Sequence, residues 1–300
     1  MTTPMTPHQR PTQSGSNPAV SSVHAVSFAT LLNPLWIARR LWRYRELIVQ
    51  LTTREITQRY RGAYLGFLWP FLTPLCMLLI YTFVFSIVFR ASWGQRNESQ
   101  DLIQFAFTIF AGLIPFTIFS EVMNGAPRLI LAVPNYVKKV VFPLEIFPVI
   151  ILGAALFHSF LSIGILLLGV LIWQQSLSPM LVLLPLAYLP LMLWVLGLGW
   201  FLASLGVYVR DIQQSMTLLV QILFFMSPIF YPVSAVPEPF RFILYLNPLT
   251  TILDGFRRIL LWQQPLSWPL WAMWSAIGLA VAVLGFVWFI KTKDGFADVI

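Results

Sequence analysis

The chain contains 300 residues, of which 58% are hydrophobic and only 10% are charged. Soluble domains carry about 25% charged residues, so this composition excludes a soluble protein and predicts an all-α membrane protein with several spans. The net charge of +8 fits positive loops at an anionic leaflet, and nucleic acid is not an expected partner. Cys76 is the single cysteine, which excludes a disulfide framework and a cysteine-based metal site.

The first 61 residues differ in character from the rest of the chain. Residues 1–30 are rich in Ser, Thr and Pro and predict a disordered tail. Residues 31–61 are basic with interleaved Trp, and from Tyr44 onward they predict an amphipathic helix whose charged face includes Arg54 and Arg61. Such a helix lies among lipid headgroups rather than crossing the bilayer. We therefore expect an interfacial helix that leads directly into the first span; a solvated basic linker before it is the alternative.

Six apolar runs of roughly 20 residues, the length that spans hydrocarbon, follow in residues 62–300. They predict six transmembrane helices in one domain. Most of the 19 Lys and Arg residues then fall on one side of the membrane, and the positive-inside rule makes both termini cytoplasmic. The runs cover residues 67–89, 103–123, 147–173, 181–207, 215–232 and 269–290.

The segment 233–268 does not read as another span. It contains two apolar stretches of roughly ten residues, and stretches this short are usually re-entrant or interfacial. Asn247 and Pro248 separate them. We predict a re-entrant hairpin at the outer face before the last span, with a membrane-surface loop without a transport role as the alternative. The candidate outer-mouth residues are Arg241, Asp254, Arg257 and Arg258.

Motifs for chemistry are missing from the sequence. None of its four lysines follows a glycine, so the chain has no Walker A loop for ATP phosphates. We expect no catalytic residues, no metal site and no cofactor. His158 falls in the third predicted span without a titratable neighbour in sequence, which favours a hydrogen-bonded core role. Ion-driven carriers place acids or bases inside their spans, and these spans hold very few.

Aromatic residues make up 15% of the chain and cluster in the first and fifth predicted spans. Aromatic rings stack on the CH faces of sugars through contacts that depend on area rather than register. These residues are therefore candidates for lining a channel, although core packing and interfacial belts are the alternative. The candidates are Trp69, Tyr81, Phe85, Phe224, Phe225, Phe230 and Tyr231.

The predicted cytoplasmic loop 124–146 is too long for a tight connection and too apolar for a solvated one. Pro127, Pro134 and Pro143 divide it into short pieces that allow only a helical turn or two. An exposed apolar patch at this face indicates a docking site for another subunit. A surface helix that lies against lipid headgroups is the competing interpretation.

Several motifs, in order along the chain, resemble those of the type-2 ABC exporter permeases. The likeness is strongest to the polysaccharide branch, which exports O-antigen (Wzm-like), capsule or teichoic acid. It extends from about Glu46 to the C terminus, whereas the extension through about Trp42 departs from the family's shorter start. The motifs are QRYRGAYLGFLWPFLTPL (58–75), FAGLIPFTIFSE (110–121), VPNYVKKVVFPLEIFP (133–148), YVRDI (208–212), LNPLT (246–250) and GFADVI (295–300).

The resemblance implies a homodimer in the bacterial inner membrane, bound to two copies of a separate ATPase and moving a lipid-linked polysaccharide. The first and fifth spans would form the channel walls. The helix at 44–61 and the loop at 124–146 would contact the ATPase, whose closure would tilt those spans. The implied contact residues are Arg54, Arg61, Pro127, Arg128, Val133, Pro134, Asn135, Tyr136, Lys138 and Lys139.

Two alternatives to polysaccharide export stay open. The first is a type-2 permease for another cargo, such as a lipid or a drug. The second is a membrane-embedded glycosyltransferase or acyltransferase, which would need an acidic or histidine-based catalytic cluster near the membrane surface. The sequence shows no such cluster.

Overall fold

The computed structural model describes residues 28–61, 64, 66–84, 100–138 and 142–300. These residues form an all-helical protein, with 85% helix and no β-strand in the described part. Residues 1–27 of the predicted N-terminal tail, Phe85 and Lys139 lie outside the described residues, whereas residues 28–30, predicted to be disordered, belong to the short helix α1. The α-helices are α1 (Phe28–Leu31), α2 (Pro34–Arg43), α3 (Arg45–Tyr60), α4 (Trp69–Tyr81), α5 (Gln100–Gly125), α6 (Pro134–Lys138), α7 (Phe147–Gln174), α8 (Leu184–Tyr208), α9 (Ile212–Met226), α10 (Glu238–Leu246), α11 (Pro248–Leu260), α12 (Trp268–Thr292) and α13 (Phe296–Val299).

Four helical stretches among the described residues are long and apolar enough to cross a membrane. They are Ile103–Arg128, Leu144–Gln174, Pro179–Tyr208 and Trp268–Val299, which correspond to α5, α7, α8 and α12. The first and fifth predicted spans correspond to shorter apolar helices, Phe71–Val84 and Ile212–Met226. A helix rises 1.5 Å per residue and hydrocarbon is about 30 Å thick, so 15 residues reach only about 22 Å. The count of six spans therefore stays a prediction.

Proline and asparagine mark where several of these helices begin. Asn33 caps α2 by accepting a hydrogen bond from the Leu35 N–H at 2.9 Å, and Pro34 occupies the first turn. Asn247 caps α11 in the same way, accepting from the Leu249 N–H at 3.0 Å. Proline suits the first turn because the N–H that it lacks has no partner within the helix. Asn247 and Pro248, which divide the segment 233–268 in the sequence, thus mark the boundary between α10 and α11.

The main hydrophobic core surrounds α5, which is the most buried of the four long helices. Its apolar side chains pack against α7 and α8 and against α11. The residues of α11 on this face, including Leu253 and Phe256, are completely buried. Helix α11 is therefore part of the main core, whereas most side chains of α10 are exposed.

Helices α8 and α12 pack closely because glycines face each other at their crossing. A Cβ atom at Gly285 would overlap the backbone of Gly197, and one at Gly197 would lie 2.5 Å from the carbonyl carbon of Val281. Small residues allow the backbones of membrane helices to approach each other. Gly278 extends the same seam toward Trp194.

A second core cluster lies where the two ends of the described chain meet the loop between α5 and α7. It joins Leu31 and Ile37 near the N terminus to Ile130 and Leu144 of that loop. The other members come from α8, from α12 and from the C-terminal turn, where Phe296 is completely buried. This cluster packs the loop between α5 and α7 against α8, α12 and the two ends of the described chain.

Candidate functional site

A cavity of about 770 Å³ opens between α4, α5, α7 and α9. Four of the candidate channel residues line it: Trp69 and Tyr81 from α4, and Phe224 and Phe225 from α9. These two helices are distant in sequence, so the structure brings together the aromatic clusters of the first and fifth predicted spans. The cavity is large enough for a small-molecule or sugar-sized group.

Phe230 and Tyr231 support this aromatic wall from outside the cavity. The Phe230 ring is buried, with its centroid 5.4 Å from that of Tyr81 and 5.1 Å from that of Phe224. The Tyr231 hydroxyl donates a hydrogen bond to the Phe225 carbonyl at 3.0 Å. Both residues were predicted to line the channel; here they contact residues that line the cavity, and their place in a channel stays a prediction.

Hydroxyl and amide groups are interspersed with the aromatic rings. The Thr117 hydroxyl donates to the Leu113 carbonyl at 2.8 Å and that of Thr217 to the Gln213 carbonyl at 3.2 Å. Each hydroxyl oxygen keeps lone pairs that can accept a hydrogen bond from a ligand. The cavity thus offers flat apolar surfaces beside polar acceptors, a combination that suits sugars. The polar residues that line it include Thr73, Thr117, Ser162, Thr217 and Gln221.

One end of the cavity carries a charged network that joins three helices. Arg59 of α3 forms an ion pair with Glu121 of α5. His158 of α7 lies between them, with Nδ1 3.4 Å from Glu121 Oε2 and 3.2 Å from Arg59 Nη1. The Tyr60 hydroxyl is 2.8 Å from His158 Nε2. We call Arg59, Tyr60, Glu121 and His158 the α3 network.

The α3 network has a consistent arrangement of protons. If His158 carries its proton on Nδ1, it donates to Glu121, and Nε2 accepts from the Tyr60 hydroxyl. Arg59 Nη1, 3.2 Å from that Nδ1, then makes no hydrogen bond to the ring and donates to Glu121. Partial burial raises the pKa of Tyr60 above its usual value, which favours the protonated hydroxyl that donates this hydrogen bond. The ion pair and the two hydrogen bonds attach the C-terminal turn of α3 to α5 and α7 at one end of the cavity.

The sequence predicted a hydrogen-bonded core role for His158 but gave no indication of its partners. The structure gives it hydrogen-bond contacts with Tyr60 and Glu121, which lie 98 and 37 residues away in the sequence. Arg59 was not selected, although it stands in the QRYRG motif. Arg54 and Arg61, which were selected, are both exposed and take no part in the network. The motif was the only sequence signal that could have pointed to Arg59.

The loop between α5 and α7 divides its predicted contact residues into two groups. Pro127 is buried against Gly206 of α8, and the Tyr136 ring packs on Phe142 with centroids 4.6 Å apart. Val133 is half-buried. Four other side chains are exposed and available to a partner: Arg128, Pro134, Asn135 and Lys138.

The predicted outer-mouth residues also differ in environment. Arg241 donates hydrogen bonds to the Val236 and Ser234 carbonyls at 2.8 and 3.0 Å. Arg258 pairs with Asp254 at 2.5 Å on the partly exposed side of α11. Arg257 is 2% exposed and donates to three backbone carbonyls inside the protein. Of the four side chains, that of Arg257 is thus the buried one, and a role of these residues at an outer mouth stays a prediction.

Comparison with known proteins identifies the family of this chain. Residues 46–261 match the profile of the ABC-2 type transporter family. The chain belongs to the ABC-2 type transporter family. It is a permease subunit of that family, and the family match includes the cavity, the α3 network and the loop between α5 and α7. Helix α2 and the whole of α12 lie outside it.

Relatives of known role cover most of this ABC-2 chain. An O-antigen export system permease protein, RfbA, of Myxococcus xanthus is 30% identical over 87% of this chain and 98% of its own length. The protein of the same name from Klebsiella pneumoniae is 23% identical over 85% of this chain and 95% of its own. The polysialic acid transport protein KpsM of Escherichia coli is 26% identical over 73% of this chain and 83% of its own length.

Proposed function

We propose that this permease exports a lipid-linked cell-surface polysaccharide, O-antigen in the first instance, across the bacterial inner membrane. The observation that carries the proposal is the alignment over nearly the full length of an O-antigen export permease. The cavity lined by aromatic rings and hydroxyl groups supports it, because its surface suits sugar units. A capsular polysaccharide is the second candidate, favoured by the likeness to a polysialic acid transport protein.

The proposed transport unit is a homodimer of six-span subunits. Helices α4 and α9, which form the aromatic wall of the cavity, also carry many exposed apolar side chains. A second copy that faces these helices would complete a channel wide enough for a polymer. Large exposed apolar patches next to a cavity are typical of subunit interfaces, although lipid also covers such surfaces in a membrane.

In this proposal both termini are cytoplasmic, α3 lies in the inner headgroup layer, and α10 and α11 form a re-entrant hairpin at the outer face. The exposed apolar residues of α10, such as Phe242 and Tyr245, suit contact with lipid or with the second copy. Arg241, Asp254 and Arg258 would stand near the outer opening. Arg257 would hold the hairpin in place from inside.

Two copies of a separate ATPase subunit would supply the energy, because this chain has no Walker A loop. The proposed contacts are the exposed residues of the loop between α5 and α7 and the outward face of α3 with Arg54 and Arg61. Movement of α3 would reach the cavity through the α3 network, which connects it to α5 and α7. Two packed arrangements of similar free energy are needed for such a motion.

Deletion of the gene in its own host tests the proposed cargo. We expect the surface polysaccharide to disappear and its lipid-linked form to accumulate inside the inner membrane, since synthesis would continue without export. The measurement is glycan analysis of separated surface and membrane fractions, with the full-length chain expressed from a plasmid as the control. Unchanged surface O-antigen and capsule together would contradict polysaccharide export and favour a lipid or drug as cargo.

A further inference from the structure

Glu145, in the loop between α5 and α7, has a completely buried carboxylate. Arg40 of α2 approaches it with two nitrogens: Nε lies 2.7 Å and Nη2 2.6 Å from Oε1. The Lys293 ammonium, just after α12, lies 4.0 Å from Oε2, which is too far for a hydrogen bond but close enough to lower the energy of the negative charge. One buried carboxylate thus attracts cations from both ends of the chain.

The backbone of Glu145 is held as well. Trp200 of α8, itself buried, donates its indole N–H to the Glu145 carbonyl at 2.9 Å. The Trp200 ring contacts Phe286 of α12 edge to face, with centroids 5.1 Å apart, and Trp36 of α2 reaches the same Phe286 ring at 6.3 Å. The Arg40 guanidinium lies 5.1 Å from the centroid of the Trp36 ring. The charged and aromatic contacts therefore fix α2 and the loop in one arrangement.

These contacts join a residue inside the family match to residues outside it. Glu145 falls within residues 46–261, whereas Arg40, Trp36 and Lys293 fall outside them. The second core cluster shows the same division, because Leu31, Ile37 and Phe296 from the two ends pack with Ile130 and Leu144 of the loop. The N-terminal extension, whose role the sequence left open, is thus packed directly against the loop.

We infer that α2 and the C-terminal turn after α12 position the loop between α5 and α7 by holding Glu145. Arg40 is the principal positioning residue and Lys293 an auxiliary one. Any consequence for ATPase docking rests on the proposed function, in which the exposed face of α6 contacts the ATPase. The positioning itself is a property of this chain alone.

Breaking a buried ion pair destabilises a protein much more than replacing both of its members. Removing only the cation leaves a buried carboxylate without its main partner, which is strongly unfavourable. Replacing both members by neutral groups of similar size removes that penalty and is often close to neutral. Arg40→Gln should therefore release the loop, whereas Arg40→Gln combined with Glu145→Gln should largely restore it.

Amide hydrogen exchange of the full-length chain in lipid nanodiscs tests the positioning. In Arg40→Gln we expect exchange of residues 134–138 and 142–147 to become about tenfold faster or more, equivalent to about 1.4 kcal/mol of local stability. The double variant should return to within about threefold of the original rate. The matched control is Arg39→Gln, an exposed position on the same helix, which should leave the exchange unchanged.

Hydrogen exchange and ATPase binding, measured in turn, distinguish the positioning role of Arg40 from the proposed docking of the ATPase at α6. Unchanged exchange in Arg40→Gln, or a double variant that exchanges as fast as the single one, would overturn the positioning role. If exchange rises as expected, binding of the partner ATPase to the same nanodiscs is measured next, with at least tenfold weaker binding expected. Faster exchange with unchanged ATPase binding would uphold the positioning role and contradict the proposed docking at α6.

Discussion

Arg257→Met is expected to prevent stable folding of the permease, whereas Arg258→Met, one residue later, should have little effect. Arg257 Nε donates to the Thr108 carbonyl of α5 at 3.0 Å. Nη1 and Nη2 donate to the Pro228 and Ile229 carbonyls at 2.7 and 2.8 Å. Arg257 therefore connects α11 to α5 and to the turn that follows α9.

Methionine fills a similar volume but donates no hydrogen bond, so three buried carbonyls would lose their donor. A hydrogen bond to a charged group contributes about 1.5–3 kcal/mol, and three of them together exceed about 4 kcal/mol, a large share of a typical stability of about 5–15 kcal/mol. Gly112 of α5 fits the same interpretation, because a Cβ there would collide with the guanidinium. Arg258, by contrast, forms a partly exposed pair with Asp254 that contributes at most about 1 kcal/mol.

Thermal stability in detergent, followed by fluorescence-detected size exclusion, measures this difference. Arg257→Met should give little monodisperse protein, and Arg257→Lys should rescue it only in part, since an ammonium lacks the planar fork that reaches three carbonyls. Equal stability of Arg257→Met and Arg258→Met would contradict the role assigned to Arg257.

Arg59→Gln is expected to reduce export about tenfold or more while the chain remains inserted in the membrane. The Arg59 side chain is 40% exposed, but that of Glu121 is only 13% exposed. Removing Arg59 therefore leaves a largely buried carboxylate with His158 as its remaining contact within the α3 network. Removing Glu121 instead leaves an arginine that can turn toward water, so Glu121→Gln should have the smaller effect.

The double variant distinguishes the network from two independent effects. Because Arg59 and Glu121 act on each other, Arg59→Gln with Glu121→Gln should export no worse than Glu121→Gln alone, whereas independent sites would add. The measurement is surface polysaccharide per inserted permease, with Asp211→Asn as an exposed carboxylate control. Additive losses in the double variant would show that the pair does not function as a unit.

Local patterns in the sequence predicted several of the helices and pointed to aromatic residues that share a cavity. Apolar runs indicated the four helices that are long enough to span a membrane, and Asn247 and Pro248 marked the start of α11. Aromatic residues of the first and fifth predicted spans meet in one cavity. These features depend on neighbours in the chain or on composition. They are therefore visible in a single sequence.

The charged contacts were not predictable because their partners are far apart in the chain. Arg40 and Glu145 are 105 residues apart, and Arg257 lies 149 residues from Thr108. Arginine in a segment that the sequence predicts to lie at the membrane surface is normally expected near headgroups, so the burial of Arg257 against backbone carbonyls left no local signal. Only the packing of the helices decides which charged side chains are turned inward.

In the proposed function this chain is a passive gate, driven by a separate ATPase through the loop between α5 and α7. The most direct measurement is translocation of lipid-linked glycan in proteoliposomes that contain the permease with or without its ATPase. We expect translocation only when both subunits and ATP are present. The double variant Asn135→Glu with Lys138→Glu, on the exposed face of α6, should lose it despite full incorporation. Translocation by the permease alone, or at an unchanged rate in this variant, would contradict the account.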